Sequence, residues 1–343
     1  MKDIYGLIKE KEGEHLSKLF TVLEGDYAGE KALFTNRSLV FDSTKDGFFL
    51  KHQYALLKEE GTKILEIEGK RIFCDILSPP KKLVICGAGH VSVPIIKFGI
   101  MADFSVTVID DRVAFADKAR NAGAHKVLCQ DFNSALEEIE SDENTYFVIV
   151  TRGHRYDRIC LEKVLHKPKG YVGMIGSKMR VTKVKKELLE KGADPKEIQE
   201  VYTPIGLDIK AETPVEIAIA IMGEIILVKN RRKTGTGYSK EIIKELLNRP
   251  LEKRAVVLAT IVSRKGSAPR ETGTKMLIFP DGGIVGTIGG GCAESDVMFK
   301  ALNLFSDSSK NTELVPVDMT GLDAEEEGMV CGGIIEVFLE KIS

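Results

Sequence analysis

Leu83-Val84-Ile85-Cys86-Gly87-Ala88-Gly89-His90-Val91-Ser92 is the stretch whose reading decides the fold. Four apolar residues read as a buried strand, and the glycines that follow open a helical pattern, so backbone amides gather where a phosphate binds a helix N-terminus. Ser92 stands where the third glycine of a dinucleotide fingerprint would be. Outward from this stretch, Val106 to Ile109, Lys126 to Leu128, Tyr146 to Val150 and Tyr171 to Ile175 read as further buried strands with helical periods between them. That alternation specifies a doubly wound parallel sheet of the Rossmann type. The segment closes on a helix whose start is marked by Thr213-Pro214-Val215-Glu216, a capping box with proline at the first helical position. Ile217, Ile221, Ile225 and Ile226 are its expected apolar face.

Two joints bound this α/β segment. Ser78-Pro79-Pro80-Lys81-Lys82 denies helical continuation, and the basic, glycine-containing run from Lys229 to Tyr238 reads as a linker. The expected domains are therefore residues 1–78, 79–230 and 231–343. The two flanking segments resemble each other. Each opens with a short helical pattern, Ile4 to Ile8 and Ile242 to Leu247. Each continues through Gly29-Glu30-Lys31-Ala32-Leu33 or Gly273-Thr274-Lys275-Met276-Leu277, and ends on a strand, Arg71 to Leu77 or Ile334 to Leu339. The expectation is two α+β, β-rich domains, the N-terminal one a degenerate copy.

Composition narrows the function classes. A net charge of -2 over 343 residues gives no electrostatic case for nucleic acid or an anionic membrane. No apolar run approaches the length of a membrane span, and the N-terminus lacks an apolar signal core. Cys74, Cys86, Cys129, Cys160, Cys292 and Cys331 are scattered without a framework pattern, so a reducing cytoplasm is expected.

Three places carry candidate chemistry. Gly87, Gly89 and His90 form the first, with Asp110 after the next strand, 23 residues beyond Gly87, where a carboxylate accepts from a ribose hydroxyl. Such a carboxylate favours NAD over a 2′-phosphorylated dinucleotide, an effect blunted by Arg112; the alternative is a tight turn that binds nothing. The second comprises Arg152 and His154 at one strand end and Gly176, Ser177 and Lys178 at the next, an anion pocket by the same logic, with His154 as acid, base or anion contact. The cations after it, Arg180, Lys183, Lys185 and Lys186, read as a solvated face. The third is C-terminal: Gly266 and Ser267, then Lys275, then Gly289-Gly290-Gly291-Cys292-Ala293-Glu294, then Cys331-Gly332. Cys292 at a helix start favours the thiolate. Cys292 and Cys331 are candidates to lie near a soft metal, and the competing reading is two small buried residues beside tight turns. No histidine follows His166, which argues against a structural zinc site.

These residues resemble the XdhC/CoxI accessory proteins of molybdenum hydroxylases such as xanthine dehydrogenase and carbon monoxide dehydrogenase. GSAPRxxGTKM, GTIGGGCAE and the late CGG look like the CoxI-type domain. CGAGHVSVP, VTVIDDR, TRGHxxD, GMIGSKxR and PIGLDIKAETPVEIAIAI look like the family's Rossmann-type domain. One departure is the order, since the complete CoxI-type domain follows the Rossmann-type one here. The resemblance implies a role in purine catabolism as a cofactor-binding chaperone. It would hold molybdenum cofactor (molybdopterin, or its cytidine form), protect it during sulfuration by a cysteine desulfurase and deliver it to an apo molybdenum hydroxylase. A homodimer is expected. The rival is an NAD-dependent oxidoreductase in which Asp110 orients the ribose and His154 serves as acid or base, a reading that leaves the Gly-Cys loops unexplained. Were the chain a catalyst, Cys292, Glu294 and His154 would be the candidate catalytic residues.

Overall fold

The computed structural model describes residues 4–11, 16–231, 237–248, 255–319 and 333–342, with the backbone alone at His154, Lys178 and Cys292. The chain divides into two compact units, one of Met1–Pro79 with Thr234–Ser343, the other of Pro80–Lys233.

The first part of the former unit runs α1 (Ile4–Lys11), β1 (Ser17–Val22), β2 (Lys31–Thr35), β3 (Ser38–Asp42), α2 (Phe48–Lys51), α3 (Gln53–Lys58), β4 (Lys63–Ile67) and β5 (Lys70–Leu77). Its antiparallel sheet has the order β3-β2-β1-β5-β4.

The second unit contains β6 (Lys82–Cys86), α4 (Ser92–Met101), β7 (Ser105–Ile109), α5 (Val113–Asn121), β8 (Lys126–Leu128), α6 (Phe132–Glu138), β9 (Thr145–Ile149), α7 (His154–Leu165), β10 (Tyr171–Met174), α8 (Lys178–Glu190), α9 (Pro195–Gln199) and α10 (Pro214–Arg231). The five strands expected from the apolar runs are all present, parallel, in the order β10-β9-β6-β7-β8. Successive residues of each strand feed opposite layers. Leu83 and Ile85 pack with α4 and α10, whereas Val84 and Cys86 pack with α6, α7 and α8. Burial on both faces is why these strands read as unbroken apolar runs. The capping box at α10 forms as expected: Glu216 N–H donates to Thr213 Oγ1 at 3.3 Å, and Thr213 N–H donates to Glu216 Oε2 at 3.1 Å. The buried face of α10 differs from the expected one. Ala218, Ile221, Met222, Ile225 and Val228 point inward, and Ile226 is exposed.

The chain then returns to the first unit through α11 (Lys240–Asn248), β11 (Val256–Lys265), β12 (Lys275–Ile278), β13 (Ile284–Gly286), α12 (Gly291–Ser306), β14 (Thr312–Asp318) and β15 (Ile334–Ile342). Its sheet order, β13-β12-β11-β15-β14, repeats that of the N-terminal sheet strand for strand.

Register makes the repeat quantitative. Lys31 and Lys275 occupy equivalent positions, opposite Thr21 and Thr260. Asp75 and Glu340 are likewise equivalent, opposite Leu19 and Leu258. Each lysine pairs with the acid of the other copy, Lys31 with Glu340 and Lys275 with Asp75. Arg71 and Glu336, one residue before the equivalent Ile72 and Val337, pair with each other at 2.9 Å. The apolar contacts obey the same rule, Leu23, Phe73 and Ile64 meeting Val262, Phe338 and Leu314. Reciprocal contacts between equivalent residues are the signature of a two-fold, isologous interface, built here within one chain.

Candidate functional site

In the α/β unit the strand ends β6, β7, β9 and β10 present their loops at one edge, where doubly wound sheets bind ligands. A cleft of about 370 Å³ lies there, lined among others by Gly89, His90, Arg112, Phe115, Thr151 and Arg152. Gly87 has φ +106°, and a Cβ on it would lie 2.6 Å from the Val150 carbonyl oxygen, so only glycine lets β9 approach the turn this closely. A Cβ on Gly89 would meet nothing within 4 Å, which leaves its backbone open to the cleft. The Ser92 hydroxyl donates to Gly87 O at 2.7 Å and closes the loop on itself.

Asp110 stands directly after β7, where its spacing puts it, but its oxygens turn to the loop. Its carboxylate, 1% exposed, accepts from the Ala88 amide at 2.8 Å and from Arg112 through the amide, Nε and Nη2 at 3.1, 2.9 and 2.9 Å. Both oxygens are engaged beneath the loop, so it braces the turn instead of offering a free acceptor to a ribose. Burial alone would raise its pKa; the hydrogen bonds from Arg112 and the Ala88 amide outweigh that and hold it below the ordinary 3.8. Asp111 accepts from Arg152 Nη2 at 3.0 Å, and the same nitrogen donates to the Tyr156 hydroxyl. The two acids after β7 are thus each matched by a guanidinium. Asp110→Asn removes an acceptor that holds the Gly loop. It is expected to cost the unit about 1–3 kcal/mol at pH 7 in denaturant unfolding. Because the folded pKa is depressed, the wild-type advantage is present above pH 3.8 and lost as pH falls through the lower folded value. An unchanged midpoint at pH 7 would contradict the bracing role.

The remaining loops at this edge are braced similarly. Asp157, fully buried, accepts from the Thr151 hydroxyl at 2.5 Å and pairs with Arg180 from α8. Ser177 caps α8 by accepting from the Arg180 amide at 3.3 Å, directly after Gly176. His154 and Lys178 open α7 and α8, and their side chains lie outside the described residues. Sequence reading placed Arg180 on a solvated face, and Asp157 was not singled out as a site residue. The usable signal was an acid in the first turn of α7 followed by an arginine in the first turn of the next helix.

The second candidate site is the end of the C-terminal sheet where β11 and β13 finish and β15 begins. Gly289 has φ +138°, and a Cβ there would lie 2.4 Å from Pro269 Cγ; a Cβ on Gly333 would lie 2.4 Å from Ser267 O. The Gly266-Ser267 loop therefore touches both the glycine run and the residue after Cys331-Gly332, which themselves lie outside the described residues. Glu294 Oε2 accepts from the Thr287 hydroxyl at 2.7 Å, the Gly290 amide at 3.1 Å and the Ile288 amide at 3.3 Å. Its role is to hold the glycine loop. Gly290, at φ 77° and ψ -177°, is the N-cap of α12 and makes no side-chain cap bond among the described residues, and Cys292 is the helix's second residue. In the N-terminal copy, Glu68 and Gly69 alone connect β4 to β5 where residues 319–333 connect β14 to β15.

Lys275 is not at this site. Its ammonium, 2% exposed, donates to Asp75 at 2.6 Å, Gly273 O at 2.8 Å and Gly237 O at 3.1 Å, and lies 4.4 Å from the centre of the Tyr238 ring. It stitches the two copies together. Among the described residues no group of three or more His, Cys, Asp or Glu side chains is placed to hold a metal ion, and no helix is long and apolar enough to cross a membrane.

Known proteins match both parts of the chain. The profile of the XdhC Rossmann domain matches residues 83–225, and that of the XdhC and CoxI family matches residues 251–315, in the order read from the motifs. The uncharacterized Escherichia coli protein YqeB is 29% identical over 48% of this chain and 30% of its own length. A Bacillus subtilis protein described as a probable xanthine dehydrogenase subunit is 28% identical over 47% of this chain and 46% of its own. The match thus spans less than half the length of either relative. A solved Bacillus halodurans structure described as a xanthine dehydrogenase shares the fold, with a TM-score of 0.56 and 24% identity over 68% of this chain and 65% of that one. Matched in both its Rossmann-type and its CoxI-type domain, the chain belongs to the XdhC and CoxI family.

Proposed function

We propose that the chain is an accessory protein of a molybdenum hydroxylase of the xanthine dehydrogenase kind, which binds molybdenum cofactor and assists its sulfuration and insertion. The observation that carries this reading is the convergence of the Gly266, Gly289–Gly291 and Gly333 loops at one sheet end, held by Glu294 and opening onto the glycine-capped start of α12. A pterin phosphate and an oxo or sulfido molybdenum centre are oxyanionic and soft, and the donor set suits them: backbone amides at the head of α12, with Cys292 beside them. A Cβ on Gly290 would meet nothing within 4 Å, so the loop leaves room on that side. When bound, the cofactor supplies the molybdenum centre that a hydroxylase uses for catalysis. This chain's part is to bind, orient and shield it. The apo-hydroxylase and a cysteine desulfurase are the proposed partners.

An NAD-dependent oxidoreductase is less well supported, because both oxygens of Asp110 are already occupied. Titration of the purified protein with NAD and with molybdopterin separates the two. The account expects saturable pterin binding that Cys292→Ala weakens. Tight NAD binding with no pterin binding would refute it.

A further inference from the structure

We propose that the cleft at the edge of the parallel sheet binds an adenosine dinucleotide phosphorylated on its ribose 2′-hydroxyl, with Arg112 and Arg152 selecting the phosphate over a free hydroxyl. The strand order β10-β9-β6-β7-β8 changes direction between β6 and β9, and such a switch point opens a crevice outside the strand ends. The cleft of about 370 Å³ falls there, its walls drawn from the loops after β6 (Gly89, His90), β7 (Arg112, Phe115) and β9 (Thr151, Arg152). Its volume is that of a small-molecule site. In sheets of this type the adenosine ribose rests over the end of the second strand, here β7, so the residues after Ile109 meet its 2′-position.

The groups at that point favour a phosphate. A free 2′-hydroxyl is read by a carboxylate, yet Asp110 is 1% exposed and spends both oxygens on Ala88 and Arg112. Asp111 accepts from Arg152 Nη2 at 3.0 Å and lies 4.0 Å from Arg112 Nε, so its charge is matched as well. The two guanidiniums keep donors to spare. Among the described residues, Arg112 Nη1 and Arg152 Nε and Nη1 have no hydrogen-bond partner. Arg112 is also fixed before any ligand arrives: Asp110 holds its Nε and Nη2, and its Cζ lies 3.5 Å from the centre of the Phe115 ring. Arg152 is steadied likewise by the Tyr156 hydroxyl at 2.7 Å and by the Tyr156 ring. A guanidinium held this way loses little further freedom on binding and offers a planar fork that suits phosphate. The open backbone at Gly89 leaves room beside it for the dinucleotide's pyrophosphate. This inference concerns the α/β unit alone and does not rest on the pterin reading, which its failure would leave untouched.

The test is calorimetric titration of the full chain with NADP and with NAD. Wild type should bind NADP about tenfold more tightly or better, the gain expected from charge-assisted hydrogen bonds to one added phosphate. Arg152→Gln changes a side chain that is 37% exposed. It should melt as wild type does and bind NADP no better than NAD. Arg155→Gln removes the same charge from an exposed position on α7 that does not line the cleft, and should leave both affinities as they are. Equal or tighter binding of NAD by wild type, or no binding of either dinucleotide, would overturn the proposal. So would an Arg152→Gln protein that still prefers NADP, or equal losses in the two variants, which would reflect net charge instead of contact.

Discussion

Lys275→Met should destabilise the two-sheet unit by about 3–5 kcal/mol, because it strands a carboxylate that is 2% exposed. Asp75 keeps one oxygen, Oδ1, without a hydrogen-bond partner in the wild type, and the other rests on Lys275. Burial raises the Asp75 pKa above its ordinary 3.8, and the charge and hydrogen bond of Lys275 pull it back part of the way. With the folded pKa raised, the native state holds the proton more readily than the unfolded chain. The group's contribution to stability therefore falls as pH rises above 3.8 through the folded value. Removing Lys275 lifts that pKa further, so the gap between variant and wild type should be wider at pH 8 than at pH 5. Hydrogen exchange of peptides covering β5 and β12 reads this unit separately from the α/β unit. The double variant Lys275→Met/Asp75→Leu should recover most of the loss, since a buried ion pair replaced by apolar groups of similar size is close to neutral. A pH-independent gap, or no recovery, would contradict the reading of this pair.

Gly290→Val should abolish most cofactor carriage without unfolding the sheet. At φ 77° and ψ -177° Gly290 sits in a region that only glycine occupies at ease. A side chain there adds strain of about 1–3 kcal/mol, although no neighbour lies within 4 Å of the new Cβ. The loop escapes that strain by turning its backbone, which displaces the first turn of α12 and the amide held by Glu294. A loss of roughly thirtyfold in pterin affinity corresponds to the middle of this range. Gly282→Val is the matched control: φ is +82° and the Cβ space equally open, but the β12–β13 turn lies at the opposite end of the sheet. It should cost stability and leave pterin binding unchanged. Equal losses of binding in both variants would mean that strain, wherever placed, is all that is being measured.

The parallel sheet was legible because burial on two faces leaves unbroken apolar runs, and the capping box of α10 because its four residues carry the whole signal locally. The internal repeat was legible too, and it held more than was drawn from it. Lys31 and Lys275 align in the two copies, yet only the second copy has the glycine loops; a residue kept where the chemistry is missing points to structure, and both lysines prove to bridge the copies. For Asp110 the sequence showed the position but not the orientation. Spacing puts a carboxylate at a strand end but does not say whether its oxygens face the ligand or the loop, and that was decided by Arg112 two residues on. Ile226 illustrates the same limit on a helix, where an all-apolar sequence does not reveal which side meets the sheet.

Transfer to a partner tests the central claim most directly. The chain, loaded with molybdenum cofactor in the presence of a cysteine desulfurase, is mixed with purified apo-hydroxylase, and hydroxylase activity and protein-bound pterin are followed together. The account predicts that pterin leaves this chain as activity appears in the hydroxylase, and that the Gly290→Val protein, folded but poorly loaded, activates it in proportion to its reduced pterin content. A chain that never holds pterin, or an apo-hydroxylase activated equally well by free cofactor with and without it, would contradict the account.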